Sequence, residues 1–159
     1  MSLLEMTEAY LDGARVLRQA VAGMTRDQAL SRPVAGKWST LEVVSHLADF
    51  EALGALRIKW TLAEDQPTLF DGDETRFAAA LAYQERDLED EVTLIENTRR
   101  QVVRILRASP PGVLARGSVY RIGDKTENRT VEQFLAKAIG HLTHHLPFIH
   151  DKRRALGLA

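Results

Sequence analysis

The 159-residue chain has a length suited to one domain with a sizeable core, which we place at residues 1–159, and its 21 Lys+Arg against 22 Asp+Glu leave a formal charge of -1. That balance supplies no electrostatic footprint for nucleic acid or an anionic membrane, so neither partner is expected. With no cysteine there is no disulfide framework, and any metal must be held by nitrogen or oxygen ligands.

Apolar residues recur at helical spacing through most of the chain, which reads as all-α. The first helix is expected from about Leu3 to Met24, with Leu4, Tyr10 or Leu11, Ala14, Leu17 and Val21 on one side. Thr25 and Gln28 then form a capping box for a short helical turn, and "SRPVAGKW" is loop because Pro33 and Gly36 punctuate it. A second capping box, Ser39 with Glu42, opens a helix from Thr40 to about Glu64. After Pro67 and "FDGDE" comes a third helical region, about Glu74 to Ala108, with a break in the acidic run "ERDLEDE". Leu88, Val92, Ile95, Val102 and Leu106 are its apolar stripe, and Pro110-Pro111 stop it. Periodicity lapses from Gly112 to Arg129, where "IGDKTENR" reads as turn chemistry. Thr130 with Gln133 caps the last helix. Four long helices imply a single-domain four-helix bundle, whose inward side chains can build a ligand site. No basic leader or long apolar run occurs, so a soluble, cytoplasmic protein is expected.

Four of the five histidines fall within "HLTHHLPFIH", His141 to His150. Positions four apart on a helix differ by about 40° around the axis, so His141 and His145 share a face, in line with Phe134 and Ala138. His144 falls instead with Lys137 and Gly140 on a more polar flank, outside the ligand set. His46 shares its face with Val43, Phe50 and Leu53. Three inward imidazoles on two helices suit zinc, nickel or iron(II) and leave coordination positions open, as catalytic sites require. Spacing alone weighs this evenly against three core histidines in a metal-free bundle. Glu42 and Asp49 flank His46 and are candidates for orienting an imidazole or for general acid-base work, against ordinary roles as the capping-box carboxylate and as a surface or interhelix partner. Arg57 could meet an anionic substrate group or a neighbouring helix, and Trp38 could roof the pocket or pack on the bundle end.

"KWSTLEVVSHLADFE", followed about ninety residues later by "TVEQFLAKAIGHLTHHLPFI", resembles the DinB/YfiT-like superfamily, with its tryptophan loop, H-L-x-D-x-E type motif and late H-x-x-H-H; "FDGDETRFAAALAYQERDL" and the Arg99 region are similar to its DinB-like domain two branch. The resemblance implies a four-helix bundle, often a homodimer, with a divalent metal on His46, His141 and His145. Nickel or zinc is the common metal, with iron or manganese as alternatives. It also implies a small-molecule substrate and either metal-dependent hydrolysis or transfer to a low-molecular-weight thiol, the sulfur coming from a cosubstrate because the chain has none of its own. A non-catalytic metal-binding or stress-response bundle remains the alternative. Two departures stand out: "HLPFI" replaces the family's H-x-G-Q-I or H-x-R-Q-I, so that Pro147 should kink or end the helix just beyond the site, and Leu142 stands where Asp is common.

Overall fold

The computed structural model describes residues 1–158. Six α-helices, α1 (Leu3–Val21), α2 (Arg26–Leu30), α3 (Thr40–Ala63), α4 (Glu74–Ala80), α5 (Leu88–Ala108) and α6 (Val131–Ala155), accompany three short strands, β1 (Thr68–Phe70), β2 (Gly117–Ile122) and β3 (Lys125–Thr130). Reciprocal capping boxes start four of the helices, the three expected ones and Ser2 with Glu5 at α1. Asp73 and Asp87 cap α4 and α5 by accepting two backbone N–H groups each.

Helices α1, α3, α5 and α6 form the bundle: α3 packs on α5 and α6, and α1 packs on the same two, so α3 and α6 are neighbours. The core has two parts. At one end Met6, Tyr10, Ile58, Val102, Leu106 and Phe134 pack with Leu69 and Tyr120 of the strands. At the other, Leu17, Val44, Leu47, Ile95, Leu142 and Ile149 pack together.

Between the two apolar clusters lies a buried polar layer. Arg99 continues the α5 stripe of Val92, Ile95, Val102 and Leu106 and is fully buried. Its Nε and Nη2 donate to one Glu51 oxygen at 2.9 and 2.6 Å, its Nη1 to the Tyr10 carbonyl at 2.7 Å, and its Nη2 to the Ala138 carbonyl at 3.2 Å. The Tyr10 hydroxyl donates to the other Glu51 oxygen. One guanidinium thus joins all four bundle helices, and its pairing offsets the cost of burying both charges.

The strictly all-α expectation needs correction. The stretch read as turn chemistry is a β2–β3 hairpin, with register from Gly117↔Thr130 to Ile122↔Lys125, and β1 adds a parallel strand through Leu69↔Tyr120. Gly123 takes φ +57° at the tight turn, a conformation that glycine adopts without steric cost. β3 is mostly exposed and its side chains are polar, so no apolar alternation marked it. Thr130 ends β3 and caps α6, and the sheet therefore leads directly into the histidine helix.

Two other boundaries differ. The third helical region breaks earlier than expected, between Ala80 and Leu88, around a short 3-10 turn at Tyr83–Glu85, and resumes at the Asp87 cap. Pro147 does not end α6, which runs on to Ala155. Burial of Ile149 and Lys152 beyond the proline holds that segment against the bundle and offsets the missing N–H.

Candidate metal centre

His46 lies mid-way along the well-buried first half of α3 and has no exposed surface. His141 and His145, half-buried, sit one turn apart on the facing side of α6. The ring centroids are 4.9 Å apart for His46 and His141, 4.9 Å for His46 and His145, and 4.8 Å for His141 and His145. The Nε2 atoms of His46 and His141 are separated by 3.0 Å, and one nitrogen from each of the three rings falls within a 4.8 Å spread. Metal–nitrogen bonds of about 2.0–2.1 Å set a ligand–ligand limit near 4.2 Å, which a small rotation of one imidazole reaches.

The electrostatics keep these rings neutral. Burial pushes His141 down to about 3, helped by the neighbouring charges of His46, His145 and Lys137. Burial likewise lowers His145 to about 4 and draws His46 below the usual histidine range, the latter opposed by Glu74 and Asp49. Metal ligation requires neutral imidazole, so these side chains offer lone pairs without a proton to displace at neutral pH. The Nδ1 atoms of His46 and His145 are buried with no hydrogen-bond partner among the described residues. Three neutral nitrogen donors, one buried and two half-buried, two of them with an unsatisfied second nitrogen, fit a divalent cation of the zinc or nickel type.

His141 and His145 border a cavity of about 480 Å³, while the fully buried His46 adjoins them without lining it. Phe50, Gly54 and Arg57 of α3 line one side, Lys137, His141 and His145 of α6 another. The unexpected sheet and the loop after it complete the wall through Tyr120, Arg129, Asp71 and Glu74.

Glu74 is the residue that sequence reading missed. Its carboxylate stands 4.0 Å from His46 Nε2, and its side chain is largely exposed on the first turn of α4. It belongs to the "FDGDE" connection, whose path back over the bundle depends on β1 pairing with β2, a long-range contact that helical periodicity does not register.

The carboxylates named from sequence are engaged elsewhere. Glu42 accepts from the Ser39 backbone N–H at 2.7 Å and from Arg32 at 2.9 and 2.5 Å. Asp49 accepts two hydrogen bonds from Arg86 at 2.9 and 3.1 Å, and Arg86 also reaches Glu91. His144 is exposed, with its ring edge against His145 and Phe148, and is not part of the converging group. Arg57 reaches the end of β1 rather than a neighbouring helix, donating twice to the Phe70 carbonyl at 3.1 and 2.7 Å. Trp38 packs 5.4 Å from the His46 ring and lines a second, smaller cavity on another face of His145.

Comparison with known proteins agrees with this architecture. The DinB superfamily profile matches residues 9–149. The chain is 29% identical over 142 residues to "Putative metal-dependent hydrolase YfiT" of Bacillus subtilis, covering 89% of this chain and 78% of the relative. A Bacillus pumilus relative, named as the same kind of hydrolase, is 27% identical over 153 residues, with 92% and 85% covered. The solved structure of the Bacillus subtilis YfiT, described as having "an unusual four-helix bundle topology", superposes with a TM-score of 0.86 at 25% identity over 100% of this chain and 91% of that one.

Proposed function

The chain belongs to the DinB superfamily, and on that premise we propose that it is a metal-dependent hydrolase of a small-molecule substrate, with His46, His141 and His145 as the metal ligands. The observation that carries this reading is the convergence of three neutral imidazoles from two helices, two of them on the wall of a cavity large enough for a small molecule. A divalent cation held there supplies Lewis-acid polarisation and acidifies water for attack on an ester or amide.

The protein's own residues do the rest. The α3–α6 packing and the Arg99 layer hold the two ligand-bearing helices in register, since Glu51 follows His46 by just over one turn and Ala138 precedes His141 by one. Phe50, with its ring 4.7 Å from His46 and 6.0 Å from His141, excludes water from the α3 side of the imidazoles. Glu74, open to the cavity and close to His46, is positioned to accept a proton from attacking water and return it to the leaving group. Glu42 and Asp49 hold the scaffold through their arginines.

The test is metal analysis of untagged protein beside a His46→Ala/His141→Ala/His145→Ala control, followed by a screen of the holoprotein against ester and amide substrates. One equivalent of divalent metal, absent from the control, together with hydrolysis that depends on it, is the expected result. A metal-free wild type would sink the proposal. Conjugation of a low-molecular-weight thiol, in place of hydrolysis, would assign the same centre to thiol transfer.

A further inference from the structure

Three cations stand on the cavity wall: Arg57 of α3, Arg129 of β3 and Lys137 of α6. Their commitments to the fold are unequal. Arg57 is spent on the Phe70 carbonyl, and its Nη2 lies 3.6 Å from Asp71. Asp71 is itself satisfied by the Tyr120 hydroxyl at 2.7 Å and the Gly72 N–H at 2.9 Å, so this corner pairs its own charges. Among the described residues Arg129 uses its Nε, in an ion pair with Glu127 at 2.5 Å, and rests over the Tyr120 ring at 4.3 Å with both Nη groups unspent. Lys137 makes no hydrogen bond or ion pair with a described residue, and it sits one turn before His141, close enough for its charge to disfavour protonation of His141 and His145.

We propose that the cavity beside the histidines takes an anionic small molecule, its carboxylate or phosphate held by Lys137 and the free Nη groups of Arg129, with an apolar stem against Phe50 and Phe134. This deepens the hydrolase reading and rests on it for the position of the reacting bond. The cavity has cationic donors to spare: of its two acids Asp71 is taken up by its donors, which leaves the single open carboxylate of Glu74, on the His46 side, against Lys137 and the Nη groups of Arg129. A guanidinium offers a fixed fork to a planar or tetrahedral oxyanion, and lysine adds a mobile point charge. A cation on the triad would raise the positive potential further. Tyr120 keeps Arg129 aimed at the cavity, and Phe134 packs edge-on against Tyr120 at 5.5 Å to form the apolar floor.

The test is titration of metal-loaded protein with phenylacetate, phenyl phosphate and the neutral phenylacetamide, followed by calorimetry or NMR shifts. Either or both anions should bind at least about tenfold more tightly than the amide, and Lys137→Met and Arg129→Gln should each weaken anion binding about fivefold with metal content unchanged. Lys137 is exposed and Arg129 is held at the edge of the sheet by Glu127 and Tyr120, so thermal unfolding of both variants beside the wild type checks that they fold. Equal affinity for the amide, or anion affinity indifferent to both substitutions, would overturn the inference, the latter by showing anions bound through the metal alone. The same titrations on His141→Ala separate the two readings. Should the wild type hold no metal, the hydrolase proposal fails, while anion selectivity that still depends on Lys137 and Arg129 upholds the subsite and its loss refutes it.

Discussion

The Nε2 atoms of His46 and His141 stand 3.0 Å apart across 95 positions of sequence, in a pair that burial keeps neutral. A histidine with a folded pKa below its unfolded value of about 6.5 binds fewer protons in the native state than in the unfolded one. Its stabilising contribution is complete above pH 6.5 and drains away as the pH falls, levelling only near 4 for His145 and near 3 for His141. Metal-free protein should therefore lose stability between pH 6.5 and 4.5 more steeply than a His141→Asn variant, as followed by urea unfolding at each pH. Parallel slopes would mean that the native imidazole accepts a proton as readily as an unfolded one.

Gly13 and Arg99 make a second, sterically sharp prediction. A Gly-to-Ala change inside a helix ordinarily adds about 0.5–1 kcal/mol of stability. Here a Cβ at position 13 would meet Arg99 Nη1 at 2.5 Å, and that nitrogen is held by the Tyr10 carbonyl. Gly13→Ala should instead cost about 1–3 kcal/mol. Arg99→Met, which leaves the Glu51 carboxylate buried and unpaired, should cost about 3–5 kcal/mol. The double variant should fall short of the sum, because methionine carries no group at the point of collision. Strict additivity in denaturant unfolding would contradict the contact.

These residues also show where the sequence is readable. The four bundle helices follow from a 3.6-residue period and from capping boxes, both local signals that lie wholly within each element. The face argument for His46, His141 and His145 holds for the same reason: each position relative to its apolar neighbours is a property of one helix. That His46 meets the other two is a tertiary fact, for which the family resemblance supplied what periodicity lacks. Arg99 stands in phase with Val92, Ile95, Val102 and Leu106, yet a charged residue on an apolar stripe discloses no partner, and Glu51 lies 48 residues away. The sheet was harder still. β3 is polar and exposed, and β1 is three residues long, so their pairing rests on backbone hydrogen bonds and on burial of Leu69 and Tyr120 rather than on pattern. Gly123-Asp124, a good two-residue hairpin loop, was the one local clue. Because Glu74, Tyr120 and Arg129 reach the cavity through these strands and their connections, that side of the site's wall went unread with them.

Gly54 gives a way to close the cavity without touching the histidines. It lies inside α3 on the cavity wall, and a Cβ there would have no neighbour within 4 Å. Gly54→Ala should raise stability by about 0.5–1 kcal/mol, because it meets no obstruction. Gly54→Phe would project a ring into the space a substrate needs, so binding of small molecules should fall while metal content stays at the wild-type level. Thermal unfolding and metal analysis of the two variants, with ligand titration of the second, check the three statements. Loss of metal in Gly54→Phe would place the ring on the histidines instead.

Glu42 and Glu74 should part company under the same chemical change. Glu42 is nearly enclosed, accepts from the Ser39 backbone and pairs with Arg32, and the arginine and backbone bonds hold its carboxyl below the usual range despite the opposing effect of burial. Neutralising it with Glu42→Gln removes a charge that the fold uses, at a cost of about 1–2 kcal/mol, and its contribution should already fade in the wild type as acid protonates it. Glu74 is mostly exposed and, among the described residues, approaches a possible charge partner only at 4.0 Å from the neutral His46, so Glu74→Gln should leave unfolding within about 0.5 kcal/mol of wild type. On a hydrolysable substrate the order reverses. Glu74→Gln should lower kcat by about 100-fold, as expected for loss of a general base, whereas Glu42→Gln should retain wild-type kcat wherever it is folded. The comparison requires unfolding curves and kcat for both variants in metal-loaded protein. A Glu74→Gln enzyme that turns over normally would return the proton-transfer role to water or to another side chain of the cavity.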